Sequence, residues 1–126
     1  MLHQLIITSI IALLAISAIA ELIFPSKLLG FVGITSNLHT EFLLRTTAVA
    51  LIALLPSLWA ARSNVHTPTS RSPLFGIAIY MFLSSVVDFQ AFAQGIVNSM
   101  SVPSIILRVL LGIAILGLII KSPSIE

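Results

Sequence analysis

The stretch QLIITSIIALLAISAIAELIF, residues 4–24, carries one charged residue, Glu21. As an α-helix rising about 1.5 Å per residue it is long enough to cross a hydrocarbon layer roughly 30 Å thick. Three further apolar runs, near residues 40–61, 73–95 and 103–120, repeat the pattern, with Arg45, Asp88 and Arg108 as their interior charges. Hydrocarbon offers the backbone no hydrogen-bond partner, so an isolated run of this length is read as a helix. The 126 residues are 58% hydrophobic and 8% charged, with mean hydropathy +1.16, which excludes a soluble domain with a polar surface. The expected fold class is therefore an all-α membrane protein: a four-transmembrane-helix, up-down-up-down bundle in which residues 1–126 form a single domain. A lipid bilayer is its expected surrounding.

The same residues exclude much chemistry. With no cysteine there is no disulfide, thiolate nucleophile or Cys-based metal site. His3, His39 and His66 lie at ends or in loops, too scattered to hold a metal. The net charge of +2 rests on few groups and makes no clustered basic face, so a nucleic-acid partner is not expected. No nucleophile elbow, P-loop or dinucleotide fingerprint is present, and no cofactor is identified. Leu5–Ile16 resembles a signal h-region and Ala18-Ile19-Ala20 a cleavage site. Against cleavage, Met1 to Gln4 hold no Lys or Arg and the apolar run continues through Leu22-Ile23-Phe24, so the first span is expected to be retained.

Charge at the span ends predicts orientation. In a four-span chain both termini and residues 62–72 share one side, which holds Arg62, Arg71 and Lys121, against Lys27 alone on the other. By the positive-inside bias the termini are expected in the cytoplasm. Pro68 and Pro73 suit a surface connection there, stopping one helix and starting the next. On the opposite side, residues 25–39 are too apolar for water and too short to span, so they are expected to lie in the interface or cap the bundle.

The four interior charges fall at similar distances from that outer side. Glu21 precedes Pro25 by about one turn, Arg45 follows His39, Asp88 precedes Gly95 by about two turns, and Arg108 follows Pro103, which places all four roughly 5–11 Å below the boundary. Two acids and two bases at one depth sum to zero, which reduces the cost of holding charge in lipid. The sequence thus predicts one network of Glu21, Arg45, Asp88 and Arg108, with Glu41 as a further partner for Arg45 four residues on. Asp88 is read as the deepest, facing Ser84 and Ser85, and as more important to activity than to folding. The competing reading is that buried pairs merely set helix register and that Arg45 and Arg108 snorkel to headgroups.

A weak internal repeat supports this layout. Spans one and three each place an acid near the outer end with a serine four residues earlier, Ser17 before Glu21 and Ser84 before Asp88; spans two and four each open on an arginine. Two tandem helical hairpins would place a site at their interface. On span two, Ala53, Ser57 and Ala61 are expected to permit close helix contact, Pro56 to kink the helix, and Trp59 to anchor its inner end.

Phe24-Pro25 through Leu29-Gly30 after the first helix, Leu44-Arg45 opening the second, and Val87-Asp88 through Gln94-Gly95 in the third resemble the small DoxX-like membrane proteins. That resemblance covers most of the chain and implies a four-helix bundle, with quinone-coupled oxidation or the tailoring of lipophilic metabolites as family activities. The first helix departs from it, lacking the glycine-rich, arginine-containing pattern of DoxX proper, so no catalytic residue carries over.

Three functions compete. The first is a polar site for a lipophilic small molecule, with Asp88 or Glu21 as proton donor or acceptor, Arg45 and Arg108 stabilising anionic charge, and Ser84, Ser85 and Glu41 binding. The second is a non-catalytic accessory or scaffold subunit that docks a membrane-protein partner or a second copy. A small transporter ranks last, because the charges lie too near one leaflet for a midplane site.

Overall fold

A computed structural model describes residues 1–63 and 67–121, which leaves His66 outside the described residues. Five α-helices follow one another: α1 (Leu2–Ile23), α2 (Pro25–Phe31), α3 (Leu38–Ser63), α4 (Pro68–Ala93) and α5 (Val102–Lys121), the last preceded by a 3₁₀ turn at Ser99–Ser101. All but α2 are long and apolar enough to cross a membrane, with mean hydropathy between 1.6 and 2.5. Large apolar side chains also cover the outside of the bundle. Leu5, Ile16, Leu43, Val49, Leu83, Val86 and Ile113 are all exposed, an outer surface that hydrocarbon solvates and water does not. The chain is a multi-pass membrane protein built as an all-α four-helix bundle.

The helix ends depart from the sequence reading in two places. The connection expected over residues 62–72 is much shorter, because Arg62 and Ser63 close α3 and α4 begins at Pro68 instead of Pro73. Proline is at home in a first helical turn, where its missing N–H has no intrahelical acceptor, so Pro68 starts the helix and Pro73 is carried inside it. At the other end α4 stops at Ala93, before Gly95, whose φ of +73° lies in the left-handed region that glycine adopts at no steric cost. Asp88 therefore sits five residues from the end of its helix, whereas Arg45 is seven from Leu38 and Arg108 six from Val102. Counted from the helix ends, Asp88 is not the furthest in of the four.

Each helix turns one stripe inward at spacings of three, four or seven. These stripes are Ile7, Ile10, Leu14 and Ala18 on α1; Ala48, Leu51, Leu58 and Ala61 on α3; Leu74, Ile77, Ala78, Met81 and Ser85 on α4; and Gly112, Ile115 and Ile119 on α5. Helix α1 packs chiefly on α3 and α4 on α5, α3 joins the two pairs, and α1 touches α5 lightly. Two hairpins laid side by side result. Ala18 and Ala48 are wholly buried, so small side chains let helix backbones draw close. Of the three small residues read as a contact stripe on α3, only Ala61 is buried; Ala53 and Ser57 face outward. The helix runs through Pro56 without a break. Between α4 and α5 the close approach depends on Gly112, where a Cβ would stand 3.0 Å from the Phe82 ring.

Segment 25–39 caps the bundle as anticipated. Proline opens α2 at its first turn, and Pro25 and Leu29 are buried against the bundle. Asn37 then starts α3, its Oδ1 accepting the His39 and Thr40 N–H groups at 3.0 Å while its own N–H donates to Thr40 Oγ1 at 2.9 Å. Asn98 ties this cap to the second hairpin. The Asn98 N–H donates to the Val32 carbonyl (2.8 Å), its Nδ2 to the Phe31 carbonyl (3.0 Å), and its Oδ1 accepts the Met100 N–H (3.0 Å). Gly33, at φ +84°, keeps the space open, since a Cβ there would lie 3.2 Å from Asn98 Nδ2.

Candidate functional site

Beneath that cap three helices carry polar groups along their inward stripes. On α1, Glu21 continues Leu14 and Ala18 at spacings of seven and three; on α4, Asp88 continues Met81 and Ser85 likewise; on α5, Arg108 precedes Gly112 by four. A helix turns 100° per residue, so these spacings return each side chain to the buried face. Arg108 Nη1 donates to Asp88 Oδ2, forming an ion pair between the two helices of the second hairpin. Their side chains remain 30% and 35% exposed.

Glu21 stands apart from that pair in one respect. It lies within electrostatic reach of Arg108, yet its Oε2 is buried and accepts no hydrogen bond. A buried carboxylate oxygen without a donor is costly, because the desolvation of the group is not repaid by any contact. Tyr80, half-buried two turns below Asp88 on α4, lies in the fields of Arg108, Glu21 and Asp88 together. Glu21, Tyr80 and Arg108 border a cleft of about 100 Å³. Its polar lining is Ser17 and Glu21 from α1, Tyr80 from α4, and Ser104 and Arg108 from α5, and its apolar walls include Leu14, Leu51, Met81 and Leu111.

The other residues named from the sequence fall elsewhere. Arg45 is exposed and forms no hydrogen bond or ion pair among the described residues, so the structure gathers three of the four charges, not all four. The buried face of α3 is set by Ala48, Leu51 and Leu58, and Arg45, three residues before Ala48, points roughly 100° away from its centre. Leu44 takes the inward position instead. Glu41, expected to pair with Arg45, accepts a 2.5 Å hydrogen bond from Ser36 Oγ in the cap. Ser84 and Ser85 both donate to the Met81 carbonyl one turn back, at 3.2 and 2.6 Å, and neither borders the cleft. Such back-bonding is the usual resting state of serine in a membrane helix, where no water competes for the carbonyl.

Sequence reasoning missed Tyr80 and Ser104. The signal for Tyr80 is its place eight residues before Asp88, just over two turns along the same helix. Ser104 precedes Arg108 by one turn in the same way. No group of His, Cys, Asp and Glu suited to a metal occurs among the described residues. Neither a protein-family model, nor a curated protein, nor a solved structure matches the chain.

Proposed function

We propose that this small membrane protein binds the polar end of a lipophilic molecule in the cleft beneath its cap, and that Glu21 is the group the ligand meets. The observation carrying this reading is the buried, undonated Oε2 of Glu21 in the wall of a lined cleft. A cleft of about 100 Å³ is well below the several hundred that enclose a whole drug-sized ligand. It suits a head group, with the apolar remainder lying between or outside the helices. Arg108 is already engaged by Asp88, so Asp88 acts as a positioning residue that sets the guanidinium, and Glu21 is the carboxyl free to give or take a proton. Acid–base tailoring of a bound lipophile is the enzymatic form of this proposal. The likeness to DoxX-like proteins belongs to it too, and supplies no catalytic residue.

Ten-carbon amphiphiles with different heads, namely decanol, decylammonium and decanoate, test the reading in a nonionic detergent. At least one is expected to raise the melting temperature saturably, as a ligand of the folded state must. In Ser17→Phe, which places a ring in the cleft, the effect should vanish. No saturable shift with any of the three heads would reject the site and favour an accessory role.

The orientation belongs to the same proposal, because it decides from which leaflet the cleft is reached. Arg62, Arg71 and Lys121 mark the cytoplasmic side, and the cap with its cleft then lies toward the outer leaflet. At the inner end Arg62 donates from Nε to Thr8 Oγ1 at 2.7 Å and stacks 4.9 Å from the Trp59 ring, the pairing of basic and aromatic groups that anchors a helix end at an interface. In this cysteine-free chain, Thr67→Cys should resist an impermeant thiol reagent on intact cells and react once the membrane is opened. Labelling of intact cells would reverse the assignment.

A further inference from the structure

We propose that the cleft selects a lipophilic ammonium, a singly charged amine head on an apolar tail, and exchanges it for a proton at Glu21. This deepens the preceding reading and rests on it. Glu21 and Asp88 supply two carboxyls and Arg108 one guanidinium, and the second arginine that would balance them, Arg45, is turned out of the bundle. With both acids ionised the cluster carries one negative charge.

Among the described residues, no element packed around Glu21 gives its Oε2 a hydrogen-bond donor. From α5 comes Arg108, committed to Asp88; from α4 come Asp88 and the neutral Tyr80; α3 offers the cleft only Leu51. The nearest other cation in sequence, Lys27 on α2, is exposed with its Nζ over the Phe24 ring at 5.2 Å. What Oε2 lacks is a donor, and what the cluster lacks is a positive charge. An ammonium head supplies both in one small group, whereas an alcohol supplies only the donor and a carboxylate adds to the excess. The Tyr80 ring is a suitable neighbour for a cation, and Leu14, Met81, Leu107 and Leu111 offer apolar wall to the tail.

A carboxylate that meets no other cation in an apolar surround is neutralised by a proton. Binding then exchanges one cation for another. The ammonium forms N–H···O bonds to the carboxylate as the O–H bond of the acid breaks, and that proton leaves to solvent. No oxidant, reductant or covalent change is needed. By linkage, affinity for the ammonium rises with pH for as long as the free protein holds the proton, by up to tenfold per unit, and levels off once Glu21 is ionised.

The three ten-carbon heads decide this as well. Between pH 5 and 8 decylammonium stays charged, as an alkyl amine titrates near 10.4, so any proton released comes from the protein. The expected result is preference for decylammonium over decanol and decanoate by at least tenfold, with up to one proton released per ligand in weakly buffered solution. Glu21→Gln should bind it at least tenfold more weakly and release no proton. Asp88→Asn retains Glu21 but removes the excess negative charge, and should also weaken the ammonium. Equal or better binding of decanol or decanoate, or ammonium binding without proton release across the whole pH range, overturns this inference and leaves the cleft as a site. Failure of all three heads removes the site itself.

Discussion

Asp88→Ala is expected to lower the stability of the bundle by about 2–4 kcal/mol, the largest loss from any single polar substitution here. Removing the carboxylate leaves Arg108 on the inward stripe of α5 with its Nη1 partner gone. The estimate lies below that for a fully buried pair because about a third of each side chain is exposed. Asp88→Asn should cost roughly half as much, since the amide oxygen still accepts from Nη1 while the charge attraction is lost. If the pair contributes register more than energy, replacing both partners by leucine should recover stability to within about 1 kcal/mol of the original. Unfolding of the four proteins in a mixed-micelle denaturant titration measures the cycle. An unchanged midpoint for Asp88→Ala would mean that Arg108 reaches a polar surface unaided and that the pair is incidental.

Glu21 is expected to behave in the opposite way. Glu21→Met keeps much of the side-chain length and replaces a carboxyl whose Oε2 has no donor, so it should stabilise the bundle by about 1–3 kcal/mol. Some of this gain is offset by the lost attraction to Arg108, which nevertheless keeps Asp88. The same substitution should abolish binding of a charged head. A residue whose removal strengthens the fold and ends binding is retained for what it binds, the trade-off expected where a site stores unsatisfied polarity. Melting temperature and decylammonium binding, read on one purified sample, test both halves. Destabilisation by more than about 1 kcal/mol would instead place Glu21 in the structural framework with Asp88 and Arg108.

The two carboxyls look alike in the sequence, each near the capped end of a span and each one turn after a serine. The structure separates them. In the second hairpin acid and arginine both lie on inward stripes and meet; in the first, Glu21 lies inward and Arg45 does not, so the repeat holds in layout and fails in pairing. Part of that was legible. Arg108 precedes Gly112 by four, while Arg45 precedes Ala48 by three and leaves Leu44 in the equivalent place. Reading depth without helical phase treats the two arginines as equals.

What the chain determined by itself is local: four spans and their order, because span length and hydropathy are properties of consecutive residues. Their ends were legible to within a few residues, and missed most at Pro68 and Pro73, where two prolines each offer a helix start. Which face of each span turns inward was decided only by the tertiary structure. A helix in water has one apolar face and its periodicity points to the core, but a helix in lipid is apolar all round, so Leu43 and Val49 toward lipid look in sequence like Leu51 and Leu58 toward the core. Only the packed bundle assigns Ala18, Ala48 and Gly112 to close contacts, gives Arg108 to Asp88, turns Arg45 outward, and leaves one oxygen of Glu21 without a donor.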